Sequence, residues 1–211
     1  NHLSNIGSAD EDNTLEDRSI RFQHQYKGFE NHRITSGIEE SYYAVRYKTN
    51  KLDGSVSNTV VFNQEGFLHA FFLQDQWIPN DRWDVQAGYR VSYYNELEGF
   101  YGSPRLALKY RVRPGVSLET SLGRHHQFVH RLIGENMTRG TRRMWIISSR
   151  QIPCISSLNY HTGLNWEKGY YSLSMNGYYR SLNDIFQFQG SFIPTTTLVN
   201  DRTVSNNEID F

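Results

Sequence analysis

Hydrophobic and polar positions alternate with a period of two along most of the chain. From Arg82 to Tyr94, the residues Trp83, Val85, Ala87, Tyr89, Val91 and Tyr93 share one face, while Asp84, Gln86, Gly88, Arg90, Ser92 and Tyr94 share the other. A helix cannot satisfy that period, whereas a strand places successive side chains on opposite faces. The pattern recurs at Pro104–Val112, Val116–Leu122, Leu158–Trp166 and Tyr171–Tyr179. It is weaker at Ile20–Tyr26 and Tyr43–Tyr47, where Tyr43, Val45 and Tyr47 are read as the apolar face. Over Gly66–Trp77 both parities carry apolar residues, so a strand is predicted there without a face. The result is eight strands and the start of a ninth near Val204.

Connection length carries a second regularity. Lys27–Asn31, Ile78–Asp81, Arg113–Gly115 and Glu167–Gly169 are short and rich in turn formers. Thr49–Glu65, Asn95–Gly102, His130–Ser156 and Gln187–Thr203 are longer. Short turns at one end and long loops at the other are the layout of an outer-membrane barrel. Strands of 9–11 residues cross a bilayer, and only closed barrels or helices pair all their backbone groups in lipid. Aromatics near the ends of the apolar faces (Trp83, Tyr93, Trp166, Tyr171 and Tyr179) suit membrane–water interfaces. A soluble antiparallel sheet also alternates, but gives no reason for alternating loop lengths. The expected fold class is all-β, an antiparallel up-and-down transmembrane β-barrel segment.

Composition narrows the function classes. The chain of 211 residues has 22 basic and 22 acidic side chains, which argues against nucleic-acid binding. Apolar residues are 37% and mean hydropathy is −0.65, yet 14% aromatics argue against disorder. One cysteine, Cys154, excludes an internal disulfide framework and any multi-cysteine metal site. Asn1 follows no leader, and Phe211 falls where a strand is expected, so the chain is expected to be a segment of a longer protein.

The run Ala70–Trp77 followed by Trp83–Arg90 resembles the barrel of a TonB-dependent receptor. Ser103–Tyr110, Ser117–Arg124 and His126–Arg131 resemble the same barrels, particularly those of Bacteroidetes-like bacteria. The resemblance covers about residues 66–190 and rests on strands and turns, not on a catalytic motif. It implies a barrel of 22 strands with a plug domain, of which residues 1–211 supply about nine strands, without the plug or the C-terminal strands. It also implies residence in the outer membrane of a Gram-negative cell, with lipid, a small nutrient ligand and TonB as partners. The cargo would be a siderophore, metal chelate, cobalamin or glycan. A passive channel or structural barrel, and a soluble carbohydrate-binding sheet, are the other classes.

On these faces Arg21, Arg46, Lys48, Arg90, Arg105, Lys109, Arg111 and Arg180 point into the lumen, with Asp84, Glu119 and Glu167. The basic excess would attract an anionic ligand; alternatively, acidic groups elsewhere in the whole protein pair with it. The cluster Arg124, His125, His126 and His130 stands where a strand enters the longest loop. In a strand His126 and His130 are about 13 Å apart, too far for one ion. They are read with Arg90, Arg105 and Lys109 as candidate ligand contacts at the lumen or rim, with no metal and no cofactor. Arg139, Arg142, Arg143 and Trp145 make a further basic loop. No nucleophile elbow, phosphate loop or HExxH motif is present, and no enzyme activity is expected.

Overall fold

The structure, a computed structural model, describes residues 10–53, 56–136, 140–185, 196–199 and 202–205. Strands β1 (Asp10–Tyr26), β2 (His32–Asp53), β3 (Val56–Asn80), β4 (Trp83–Tyr94), β5 (Gly99–Arg113) and β6 (Val116–Gln127) pair in chain order. A separate hairpin follows, β7 (Val129–Asn136) with β8 (Gly140–Ile147). Strands β9 (Ile155–Lys168) and β10 (Tyr171–Asn183) then complete an antiparallel sheet of eight strands, β9 pairing directly with β6. These eight are the strands that the alternation predicts. Val204 lies in a small hairpin of its own, β11 (Thr196–Val199) with β12 (Arg202–Ser205), and not in a ninth strand of the sheet.

Local chemistry fixes the short turns. Asn31, Gly115 and Gly169 adopt positive φ (63°, 74° and 61°), a region open to Gly and tolerated by Asn. Asn80 Oδ1 accepts the backbone N–H groups of Arg82 and Trp83 at 2.9 and 3.2 Å, closing the β3–β4 turn. One register row runs Tyr26, Ile34, Asp75, Ala87, Leu106, Leu122, Tyr160, Tyr179. Tyr26 ends β1, whereas Tyr179 stands eight residues past Tyr171 at the start of β10. The turns therefore step by about one residue per strand, the stagger that strand tilt imposes on a barrel wall.

The faces are sharply unlike. Val85, Val91, Leu106, Leu108, Leu118, Leu122, Leu164, Leu173 and Met175 share the outer face by register. Aromatics flank them: Trp83 against Tyr110 (centroids 4.3 Å) at the short-turn end, Tyr93 against Phe100 (5.1 Å) at the other. From Trp83 to Tyr93 the strand rises about 33 Å at ~3.3 Å per residue, which a tilt of ~45° converts to about 23 Å, close to the height of the apolar band of a membrane barrel. Trp83 and Tyr89 are exposed on this face, not enclosed in a sealed interior.

Beyond the upper aromatics the two faces exchange character. Strands β1–β3 continue far past the band, so Thr49–Asp53 and Val56–Glu65, expected in a loop, extend β2 and β3. In this stretch Val45 and Tyr47 are buried on the inner face, while Arg46 and Lys48 are exposed on the outer face. Arg46 and Lys48 therefore do not point into the lumen: they stand exposed on the outer face beyond the aromatic-bordered band, where outward positions are no longer apolar. Apolar residues on both parities of Gly66–Trp77 mark this exchange, since Phe71 and Leu73 face outward and Leu68 inward.

The inner apolar surface is covered by the described residues of His130–Ser156, which form the β7–β8 hairpin and the segment after it and not an open loop. Asn13 accepts the Trp145 N–H at 2.7 Å, and Gln64 accepts that of Ile147 at 3.2 Å. Leu68, Tyr94, Phe128 and Cys154 form a core against which Tyr43, Leu97 and Tyr101 pack. Ile146, Ile147 and Ile152 are buried beside the hairpin's base, Ile147 with 1% of its surface exposed.

Candidate ligand-binding wall

Below that core the inner face is polar and charged, and register decides which charges meet. Glu39 stands opposite Arg21 on β1, and the row continues through Ala70 and Ser92. Arg90 grips Glu39 through both terminal nitrogens, at 2.8 and 3.2 Å, while Arg21 donates its Nε to the same carboxylate at 2.5 Å. Such charge-assisted, bidentate bonds hold side chains in fixed orientations. Lys109 is opposite Glu119 and bonds it at 2.6 Å. Arg111 donates to the Asp81 carbonyl at 2.7 Å, and Gln76 donates to both oxygens of Asp84 at 3.0 Å. Much of the basic excess is thus matched within the wall itself.

Arg105 and Arg180 differ. Neither has a carboxylate partner among the described residues; Arg180 Nε donates to Asn159 Oδ1 at 2.7 Å. Arg105 helps to line a cleft of about 270 Å³ with Arg21, Gln74, Gly88 and Arg90. His125 projects from the inner face of β6 toward Gly123, where a Cβ would lie 3.2 Å from its Nε2.

The histidine cluster is dispersed. Arg124 is exposed, and its register partner Leu158 belongs to the outer face. His126 bonds the Ser103 hydroxyl at 3.2 Å and meets the Tyr101 ring edge-on. His130 is not a rim residue: it is buried in the hairpin, 2.8 Å from Ser148 Oγ, and burial lowers its pKa to about 4. Burial pushes the Cys154 thiol up to about 11, so it stays protonated and inert. Among the described residues no three His, Cys, Asp or Glu side chains come together as a metal site. Of the basic loop, Arg139 lies outside the described residues and only the backbone of Arg142 and Arg143 is described, while Trp145 stacks under the Arg131 guanidinium.

Sequence reading missed Glu39. Glu39 sits beside Glu40 in a stretch without clean alternation, and its partners are 18 and 51 residues away. Only the cross-strand register brings them together.

A staggered antiparallel sheet with an exposed apolar band bordered by aromatics and a charged inner face is the wall of a transmembrane β-barrel. The sequence pattern of the family described as "TonB dependent receptor-like, beta-barrel" matches residues 3–208, and the chain belongs to that family. Its members are receptors and transporters of the Gram-negative outer membrane, not enzymes. A comparison with curated proteins finds no match. Among solved structures, a ferric enterobactin receptor (PfeA) of Pseudomonas aeruginosa is similar, with TM-score 0.60 and 13% identity over 81% of this chain and 27% of that one. The siderophore receptor PirA of the same organism gives TM-score 0.57 and 10% identity over 81% of this chain and 32% of that one. The chain thus spans about a third or less of these receptors, and identities so low speak to fold alone.

Proposed function

We propose that the chain is part of a receptor that takes up a scarce nutrient across the Gram-negative outer membrane, driven through TonB. On this reading residues 1–211 are a partial barrel domain, and the plug and remaining strands belong to the rest of the protein. The observation that carries it is the opposition of faces, with an apolar, aromatic-bordered outer side and an inner side lined by Arg21, Glu39, Arg90, Arg105, Lys109 and Arg180. A soluble binding module has no use for so many exposed leucines and aromatics on one continuous face. A passive channel would share the wall but would need no energy. The similar solved receptors are named for ferric enterobactin and for siderophores. A siderophore or other metal chelate is accordingly the first cargo to test, ahead of cobalamin and glycans.

The test uses the complete receptor in its own cell. Deleting its gene should abolish accumulation of one chelate from a panel of radio-iron siderophores, and complementation should restore it only with functional TonB. Accumulation that persists without TonB would identify a passive channel instead.

A further inference from the structure

Two neighbouring strand pairs of equal height carry unlike outer faces. On β4 and β5 the border aromatics are Trp83–Tyr110 below and Tyr93–Phe100 above. The outward register pairs between them are Val85–Leu108, Ala87–Leu106, Tyr89–Pro104 and Val91–Gly102, with no acid and no histidine. On β2 and β3 the borders are Trp77 below and Tyr42 against Phe67 above (centroids 5.0 Å). The outward pairs between these are Ile34–Asp75, Ser36–Leu73, Ile38–Phe71 and Glu40–His69, which bring two acids and a histidine inside the borders. β6 has an outward charge, Arg124, only near its upper end.

Both acids are held in the same way. His32 Nδ1 lies 2.7 Å from Asp75 Oδ2, and its ring stacks on Trp77 at 6.0 Å. His69 Nδ1 bonds Glu40 Oε2, and its ring stacks on Tyr93 at 6.2 Å. Each acid therefore has a histidine resting on an aromatic, one pair near each border, and Asp75 Oδ1 still has no donor. The strip is flanked within the wall by β1 on one side and β4 on the other, so a strand elsewhere in the barrel does not reach it, and a group in the lumen lies behind the sheet.

Acyl chains solvate carboxylates and imidazoles poorly. Headgroups meet the wall at its aromatic borders, outside Asp75 and Glu40, and the strip has no Lys or Arg to take a lipid phosphate. A protein surface suits it better, and the strip is complementary to itself. Two copies inserted in one direction are related by a twofold axis along the membrane normal, so equal levels meet. A charged level that holds an acid bonded to a histidine then meets its copy with acid facing histidine. The Ser36–Leu73 and Ile38–Phe71 levels meet as small and apolar surfaces, which pack closely.

We infer that the outer face of β2 and β3 is a docking strip for a second copy of this chain. Asp75–His32 and Glu40–His69 bond across the axis near the two borders, and Ser36 stands between them. The inference rests on the uptake reading in one respect, that it places this face in the membrane.

Thiol cross-linking of the full-length receptor in intact cells tests it, with a short, apolar bismaleimide as the probe. S36C should run at twice the receptor's mass, with peptide mass spectrometry showing the two substituted positions joined. L106C, on the outer face of β5, should stay single. Adding E40K to S36C sets lysine against histidine at the upper level and should cut the cross-linked fraction about tenfold, the loss of one charge-assisted contact. Adding the exchange E40H with H69E keeps both signs on that level and should cross-link as S36C alone does. Heat-modifiable migration on gels shows that each variant keeps its barrel. An S36C chain that stays single, or that joins a different protein, overturns the second copy. So does L106C cross-linking as strongly, or E40K changing nothing. TonB-dependent accumulation is scored separately on the wild-type receptor, so the strip can fail while the uptake reading stands, and the reverse.

Discussion

Strands β1–β3 are each two structures joined end to end. In the lower half Phe22, Ile38 and Phe71 face outward and the inner side carries Arg21, Glu39 and Gln74. In the upper half Val45, Tyr47 and Leu68 face inward, and Arg46, Lys48 and Glu65 face out. Pairing is unbroken from Ile34 to Asp53, so no register slip causes the exchange. What changes is the surroundings: the upper inner side meets the β7–β8 hairpin, and on the proposed uptake reading the lower outer side is turned to lipid and the upper outer side to water. The same backbone obeys a membrane rule below and a soluble-protein rule above.

The largest effect should come from charging the upper inner core. Ile147 is 1% exposed beside Ser148 and Ile152. An Ile147→Asp carboxylate would have no partner there and should cost on the order of 4 kcal/mol. The hairpin should leave the wall, and protease added to intact cells should cut between Val129 and Ile147, while heat-modifiable migration shows the barrel intact. An uncut I147D chain would mean that the hairpin's polar bonds at Asn13 and Gln64 suffice to hold it.

Charge on the lower outer face should come next. Leu106→Arg places a guanidinium against acyl chains at a cost of roughly 2–4 kcal/mol near the bilayer centre. The converse swap on the upper outer face, Lys48→Leu, should stay within about 0.5 kcal/mol, because that site is solvated. Urea titration of the receptor folded in lipid vesicles measures both. Equal effects would erase the boundary between the halves.

Acid should loosen the hairpin selectively. His130 sits docked with a pKa of about 4, lowered from 6.5 by burial. Between these values the undocked segment binds more protons than the docked one. Docking is therefore flat above pH 6.5, weakens as pH falls through the window, and has lost its His130 contribution below about 4. The span is worth at most about 3 kcal/mol. Amide exchange of β7 and β8 should quicken between pH 6.5 and 4, and His130→Asn should flatten that dependence. Unchanged exchange would place the ring in water.

These tests also mark what the sequence made legible. Clean alternation at Trp83–Tyr93 and Tyr171–Tyr179 revealed strands, faces and order, because the outward residues of these two strands are apolar, aromatic or glycine; Asp75, outward on β3 and paired with His32, breaks the rule there. It misled at Tyr43–Lys48, where that rule had already reversed, and the apolar parity was read as outward. Gly66–Trp77 held the clue in its mixed parity, yet only register tells where one regime ends. Arg105 and Arg90 look alike in sequence. Their difference lies in Glu39, which reaches Arg90 from a strand 51 residues away and leaves Arg105 alone.

The smallest effect probes that difference directly. Glu39→Gln keeps an acceptor for Arg90 while deleting the charge that holds Arg21 and Arg90 together. Of the three charge-assisted bonds to Glu39, those to the remaining oxygen become ordinary and the rest are lost, because an amide NH2 cannot accept from a guanidinium; the cost is about 2 kcal/mol in vesicle stability. Arg90 lies one register step from Arg105 on the neighbouring strand, about 8 Å away by strand geometry. R105Q, which removes a cation without a carboxylate partner among the described residues, should stay within about 0.5 kcal/mol of the wild type in the same urea titration. Equal losses in E39Q and R105Q would show that the Arg21–Glu39–Arg90 bonds brace the sheet no more than an unbonded side chain does.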